Sequence, residues 1–561
     1  MPKRKLLTDS GIQPKQPKIE IRLPPEIWQK IFLNLPLKDL IVARLTCHRW
    51  RDAIGSSPGL RDKFWLKFPH DRNITMINRN YKPPGTVPAS NVMFQLDNYS
   101  KIGSIAAWWP QVASTVTCLV MCGCEFPVDV LRHAPNLKSL HLISARFGRT
   151  GRVNFKLINL RRLSLKKSRP GPLARLITRL EVLEFAIVDE EDGEIDEIVG
   201  LIQSAKSSLK ELVLDVPQGY LRKLSLLTEL NLRKVKLRDS YGYCYGFFEA
   251  IVQFVEAHPA IEELSLFNPL ELHHVLRALP NLKRLFLGFS YPHVGHEGGY
   301  LPEENVLPEI PNVALSNLEH LQIDGKAGTA GWPTLLIQQG ARLPKLKQLC
   351  LGSVFIPDDS LSELLRHSPD LRYMTLTMCD FDSWHQLLSL ITQPKRLQRL
   401  SFSVSGVTNV EDDPFNCPVP VTSLTYLKVG APGNVPSDKL RTVFRLFPAV
   451  TELQLQDAAY DGGFIEEMCR SLAQLERLSV NGLGVSCEAT THLRQYCHKL
   501  RYLWLDESWA IPPEDIAYFS KRLDNFYYNR INSSGEDSDL LDILEILRQL
   551  SDELSVLLNY C

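Results

Sequence analysis

"LTYLKVGAPGNVPSDKLRTVFRLFPAVTELQL", residues 424–455, carries two different periods in one stretch. At each end an apolar residue is followed, three positions on, by an alternating apolar pair, first Leu424 then Leu427 and Val429, next Val450 then Leu453 and Leu455, and such a pair is the signature of a half-buried strand. Between them Leu440, Val443, Phe444 and Phe447 stand at i, i+3, i+4 and i+7, the stripe of an amphipathic helix, with Ser437 placed as its N-cap and Pro448 as its stop. "DDSLSELLRHSPDL", residues 358–371, repeats the device with Leu361, Leu364, Leu365 and Pro369. Strand, helix and strand joined by short turns require a right-handed crossover, and many in series stack into one parallel sheet.

The six-residue strand pattern recurs along most of the chain. It reads "LKSLHL" at 137, "LRRLSL" at 160, "LKELVL" at 209, "LTELNL" at 227, "IEELSL" at 261, "LKRLFL" at 282 and "LEHLQI" at 318. From there it starts at 346, 371, 397, 424, 450, 475 and 500, at spacings of 25, 26, 27, 26, 25 and 25. Residues from about 116 to 505 resemble the leucine-rich-repeat family, whose period is about 20–29 residues. The fold expected is an α/β solenoid, a horseshoe with a parallel concave sheet and outer helices. Earlier spacings are looser, 29 from 180 to 209, 34 from 227 to 261 and 36 from 282 to 318, which predicts insertions or missed repeats there. The family often has Asn or Cys at the ninth position; Cys124 and Cys379 meet it.

A second signal lies near the start, "LPPEIWQKIFLNLPLKDLIVARLTCHRWRDAI" at 23–54. A helix beginning near Pro25 puts Ile27, Trp28, Ile31, Phe32 and Leu35 on one arc, and leaves Leu33 outside it. Residues 22–68 include 22 apolar ones out of 47, a piece of the size that usually needs a metal, a disulfide or a partner. No ligand cluster is present, so a partner is favoured. The segment closely resembles an F-box: "LPPEI", "IFLNLPLKDL" and "LTCHRW" fall in that family's order and spacing. The resemblance implies a three-helix module that docks on a Skp-type adaptor carried by a cullin-RING ubiquitin ligase, through Leu23, Pro24, Ile31, Leu35, Pro36, Leu45, Cys47 and Trp50. Two positions depart from the family pattern. Thr46 replaces an apolar residue, and Arg61 stands where a tryptophan often follows, with Trp65 nearby.

Composition narrows the function. The chain has 561 residues, 44% of them hydrophobic, and a net charge of +1, so no bulk field draws it to nucleic acid or an anionic membrane. Residues 1–21 read as a disordered basic tail, in which "PKRK" at 2–5 is either an import signal or solvated chain. No secretory signal or membrane-length apolar run is visible, which predicts a cytoplasmic or nuclear protein whose twelve cysteines are reduced. The expected organisation is tail 1–21, F-box 22–68, linker and N-terminal cap 69–115 with Trp108 and Trp109 covering the first repeat, repeats 116–530, and an acidic linker with a C-terminal helix at 531–561.

Catalytic and metal readings fare poorly. Cys118 and Cys122, with His133 beyond, are four positions apart on a strand, about 13 Å, too far for one zinc ion. His293 and His296 sit in a Gly/Pro loop with no further ligand in view. No phosphate-cradling loop or nucleophile set stands out, so the chain reads as a non-enzyme without cofactors.

Two functions fit: a receptor that holds a protein target for ubiquitination, or a non-degradative scaffold for nuclear or cytosolic partners. In each repeat the leucines face the core, so the residues between them face the other side of the sheet. That side carries Tyr373 and Thr375, Arg399, Tyr426 and Lys428, Arg477, then Tyr502, Trp504 and Asp506, a column rich in the residue types that dominate binding hot spots. The loop 290–312 is a second candidate contact or a tolerated insertion. Residues 540–558 form an apolar-rich helical pattern that caps the last repeat in the same reading.

Overall fold

A computed structural model describes residues 23–69, 76–82, 89–148, 153–186, 192–216, 218–238, 245–267, 272–289, 316–325, 342–356, 360–409, 420–430, 437–456, 462–481, 487–505 and 511–528. The basic tail, the loop 290–312 with His293 and His296, Asp506 and the pattern at 540–558 lie outside the described residues. The chain divides into two units, Met1–Asn159 and Leu160–Cys561.

The first unit opens with four helices, α1 (Pro25–Leu33), α2 (Leu37–Thr46), α3 (His48–Ser56) and the short α4 (Pro58–Arg61). Proline at the first turn of α1 and α4 fits a position whose N–H has no partner inside the helix. Parallel strands follow, β1 (Trp65–Phe68), β2 (Asn91–Lys101) and β3 (Cys118–Phe126), then Ser139–Ile143 and Arg146–Phe147. The ladder therefore begins before the leucine pattern does. Its early inward positions are Ala89, Val92 and Phe94, all buried, which pack as leucines do but do not spell the motif. Phe68, Tyr81, Phe94, Trp108 and Trp109 fill the space beneath, with Phe68 5.2 Å from both Phe94 and Trp108 and Phe94 5.3 Å from Trp109. Trp109 is fully buried and donates its indole N–H to the Val130 carbonyl at 2.8 Å, which removes the penalty of a buried unpaired donor.

The second unit is a run of parallel strands from Arg162–Lys166 to Asn525–Tyr528. An α/β solenoid of leucine-rich repeats is what the chain builds. Each strand is stitched to its predecessor before the ladder proper starts: Thr451 N–H donates to Thr425, Glu476 to Thr451 and Arg501 to Glu476, all at 2.8–2.9 Å. Leu424, Leu427, Val429, Val450, Leu453 and Leu455 are each fully buried, as are Val443, Phe444 and Phe447 around the helix Ser437–Leu446. Ser437 is that helix's first residue. Leu361, Leu364 and Leu365 are buried on the helix Ser360–Arg366. Burying one such leucine contributes about 1.5–3 kcal/mol, so the repeated triplets carry the stability of the array.

One repeat is read differently by the structure. "LTELNL" at 227 is not a strand; the strand is Lys234–Arg238, and the buried triplet is Leu232, Val235 and Leu237. Two leucine phases five residues apart compete, and the true one uses a valine while Leu226 points to solvent. With the phase corrected, the spacings become 23 from 209 and 29 to 261. The ninth-position cysteines are interior. The Cys379 thiol donates to the Leu351 carbonyl of the preceding repeat at 3.4 Å, and burial pushes both Cys124 and Cys379 up to about 12.

Candidate functional site: an apolar helical face and an open strand face

The four N-terminal helices enclose a small core of Phe32, Leu40, Ala43, Ile54, Leu60 and Phe64, joined by Ala89. Trp28, Phe32 and Trp50 pack as a triangle with ring centroids 5.6, 5.0 and 5.5 Å apart. The predicted arc on α1 is thereby split. Trp28 and Phe32 turn inward, whereas Ile27 and Ile31 are exposed. On α2 only Leu40 and Ala43 are buried, and Leu37, Ile41, Val42 and Leu45 face solvent, Val42 at 58% and Leu45 at 68%. Of the eight residues expected at the adaptor, Pro24, Ile31, Pro36, Leu45 and Cys47 are exposed and Leu23, Leu35 and Trp50 are half-buried, the last two against the internal core.

Polar contacts hold this face in place. Lys63 donates to the carbonyls of Leu33 and Leu35, at 2.6 and 2.9 Å, closing the C-terminal end of α1, where carbonyls otherwise lack partners. Arg49 reaches the Leu23 carbonyl at 3.4 Å. Thr46 is exposed and donates to Val42 O at 3.0 Å, so replacing an apolar residue there loses no burial. Trp65 is exposed and does not take the place of the tryptophan that Arg61 replaces.

The open face of the second unit brings the predicted column together. Tyr373, Arg399, Tyr426, Glu452, Arg477 and Tyr502 are direct register partners on successive strands. The Arg399 guanidinium lies 4.1 Å from the Tyr426 ring centroid, and Arg477 lies 5.7 Å from that of Tyr502 and 4.0 Å from the Glu452 carboxylate. Burial pushes the Tyr426 phenol up, and the Arg399 charge beside it pulls the other way. Two positions further along the strands, Lys428 lies between Ser401 and Gln454, and Trp504 between Ser479 and Tyr527. Tyr373, Arg399 and Arg477 are exposed; Tyr426, Lys428, Tyr502 and Trp504 are half-buried.

Comparison with known proteins matches both parts. The F-box domain model matches residues 21–62, and the model described as "FBD-associated F-box protein At5g56370, LRR repeats" matches residues 300–414. F-box/LRR-repeat protein 13 of Arabidopsis thaliana is 23% identical, over 61% of this chain and 92% of that protein. The chain joins a segment similar to the F-box domain to a run of leucine-rich repeats. Among solved structures, a TLR13–ssRNA13 complex aligns at a TM-score of 0.47 and 16% identity, over 85% of this chain and 61% of that one. An internalin, InlF of Listeria monocytogenes, aligns at 0.31 and 15%, over 76% of this chain and 89% of that one.

Sequence reasoning missed Leu37, Ile41 and Val42 as exposed apolar residues, and passed over Glu452 in the column. The signal for Ile41 and Val42 is local. Four consecutive apolar residues, Leu40 to Ala43, exceed what one buried face of a helix accepts. Cys118 and Cys122 on β3 are half-buried and Cys124 is buried. Among the described residues no group of three His, Cys, Asp or Glu is arranged to hold a metal ion, and no helix is long and apolar enough to cross a membrane.

Proposed function

We propose that the chain is the substrate-recognition subunit of a Skp-cullin-F-box ubiquitin ligase. Its F-box docks on the Skp-type adaptor, and its repeats hold a protein target for ubiquitination; nucleic acid and membrane have no part in this. The observation that carries the reading is the exposed apolar face of α1 and α2 over a helical core that is already closed. Such a face gains about 25 cal/mol per Å² when another protein covers it, and a contiguous patch left bare is an aggregation hazard. Residues 23–63 also carry seven basic against four acidic side chains, which suits an acidic partner.

In this reading the adaptor meets Leu23, Pro24, Ile31, Pro36, Leu45 and Cys47, together with Ile27, Leu37, Ile41 and Val42, while Leu35 and Trp50 hold the face from behind. The target meets the open face at Tyr373, Arg399, Tyr426, Lys428, Arg477, Tyr502 and Trp504, in the cytoplasm or nucleus. The chain does no bond chemistry of its own. It raises the concentration of the target's lysines near the ligase's ubiquitin donor.

The scaffold reading shares both contacts and differs in outcome. Ubiquitin-remnant proteomics on cells carrying the natural chain or a Val42→Asp, Leu45→Asp double variant separates the two. The receptor reading expects a small set of lysine sites that vanish in the variant and accumulate as unmodified protein. Unchanged remnants with unchanged partners point to the scaffold.

A further inference from the structure

The strand Lys234–Arg238 carries two lysines on one face, two residues apart, in opposite surroundings. Lys234 stands between Glu211 and Glu263 in register and pairs with both, at 3.4 and 3.1 Å. Four residues on, Arg238 is the register partner of Asp215. The row between breaks this pattern. Lys236 lies between Val213 and Ser265, and no described carboxylate forms an ion pair with its amine.

The two amines hold their protons differently as a result. Burial acts against both charges. At Lys234 the acids Glu263 and Glu211 more than offset it, and the amine is pushed up. At Lys236 burial is joined by Arg238, Lys234 and Lys166, with Glu184 acting the other way, and the amine is pushed down to about 8. Glu184 is itself held by Lys166 at 3.3 Å. Beside the Lys236 amine lies an aromatic wall. The Phe267 ring centroid is 5.9 Å from that amine, 5.0 Å from the Arg238 guanidinium and 5.4 Å from the Phe286 ring. Gly288 leaves room for the ring, since a Cβ there would fall 2.6 Å from Phe267 Cε1. Lys236 is half-buried, so solvent still reaches its side chain.

We propose that Lys236 is an acylation site, whose neutral amine takes the acyl group of a small thioester of the acetyl-CoA kind. In the step the amine nitrogen attacks the thioester carbonyl, a C–N bond forms as the C–S bond breaks, and the nitrogen gives up one proton to the departing thiolate. The products are an amide and a thiol. Neither the adaptor nor a target takes part.

A lysine becomes a nucleophile when it is stripped of water or set beside another cation, and Lys236 has both conditions. At pH 7.4 an amine that titrates near 8 is neutral about a fifth of the time, against about a thousandth for an ordinary lysine. The amide that forms carries no charge, so burial and the neighbouring Arg238 and Lys234 no longer act against the side chain. The Phe267 ring supplies an apolar wall for the acyl carbons. Lys234 is the built-in control, being on the same strand and face but held charged by its two acids.

The test incubates the full chain with deuterated acetyl-CoA, without any enzyme, and follows each lysine by peptide mass spectrometry across a pH series. At pH 7.4 Lys236 is expected to be modified at least about tenfold faster than Lys234, with its rate levelling off above about 8 while that of Lys234 keeps rising. In concentrated urea the two lysines should react alike. Arg238→Gln removes one like charge and should slow Lys236 about threefold at pH 7.4. Equal rates at Lys236 and Lys234 in the folded chain overturn the proposal. So does a Lys236 preference that persists in urea, which would place it in the local sequence and not in the fold, or a Lys236 rate that goes on rising well above pH 8.

Discussion

The F-box and the repeats treat the same kind of residue in opposite ways. Across the repeats the strand leucines, isoleucines and valines are buried almost without remainder, each triplet covered by the next turn of chain. In the F-box, a far shorter stretch, α1 and α2 alone hold seven of the fourteen large hydrophobic residues that are exposed among the described residues, from Ile27 to Leu45. An array satisfies its own apolar surface by repetition, because every repeat is its neighbour's cover. A small helical module cannot, and its uncovered face is the one that the proposed docking uses. Stability and binding therefore sit on different residues, which makes the contrast breakable by substitution.

The largest effect is expected inside the array. Leu427→Ala deletes a fully buried side chain between two repeats and should cost about 2–5 kcal/mol, read by denaturant unfolding of the full chain, with adaptor binding unaltered. Trp50→Ala comes next. Trp50 packs on Trp28 and Phe32, so the variant should open the four N-terminal helices by about 2–3 kcal/mol and lose the adaptor through unfolding, visible as fast amide exchange across 25–61 with the repeats still protected. Lys63→Met should loosen the same helices by about 1–2 kcal/mol, since two carbonyls at the end of α1 lose their donor. The smallest change is expected at Arg399→Ala on the open face. Its stacking on Tyr426 is solvent-exposed and worth about 0.5–1 kcal/mol, so a larger loss of stability would mean that the column is structural.

Much of this contrast is legible in the chain, and the gaps have physical causes. The regular spacing after 346 sets the phase of every strand, and phase alone places Tyr373, Arg399, Tyr426, Arg477 and Tyr502 on one face in one row. Phase fails at 227, where leucines in a turn outnumber the valine that is buried, and around β2, where Ala89 before the strand and Val92 and Phe94 within it fill the core without the motif. The F-box is recognisable from residue order, yet which of its apolar residues are core is not. Ile41 and Leu40 are chemically alike, and only the position of α3 and α4 against α2 decides that one is buried and the other bare.

In the proposed function the bare face of α1 and α2 is a docking surface and contributes nothing to folding. It is tested by titrating the full chain against a purified Skp-type adaptor, natural sequence beside the Val42→Asp, Leu45→Asp double variant, with the melting curves of both recorded. Binding is expected to fall at least about a hundredfold while the melting curves coincide, since two charges buried at an interface without partners cost several kcal/mol and two charges on a solvent-exposed helix face cost little. Equal affinity of the two chains, or a variant that loses the adaptor only because its helices unfold, would contradict it.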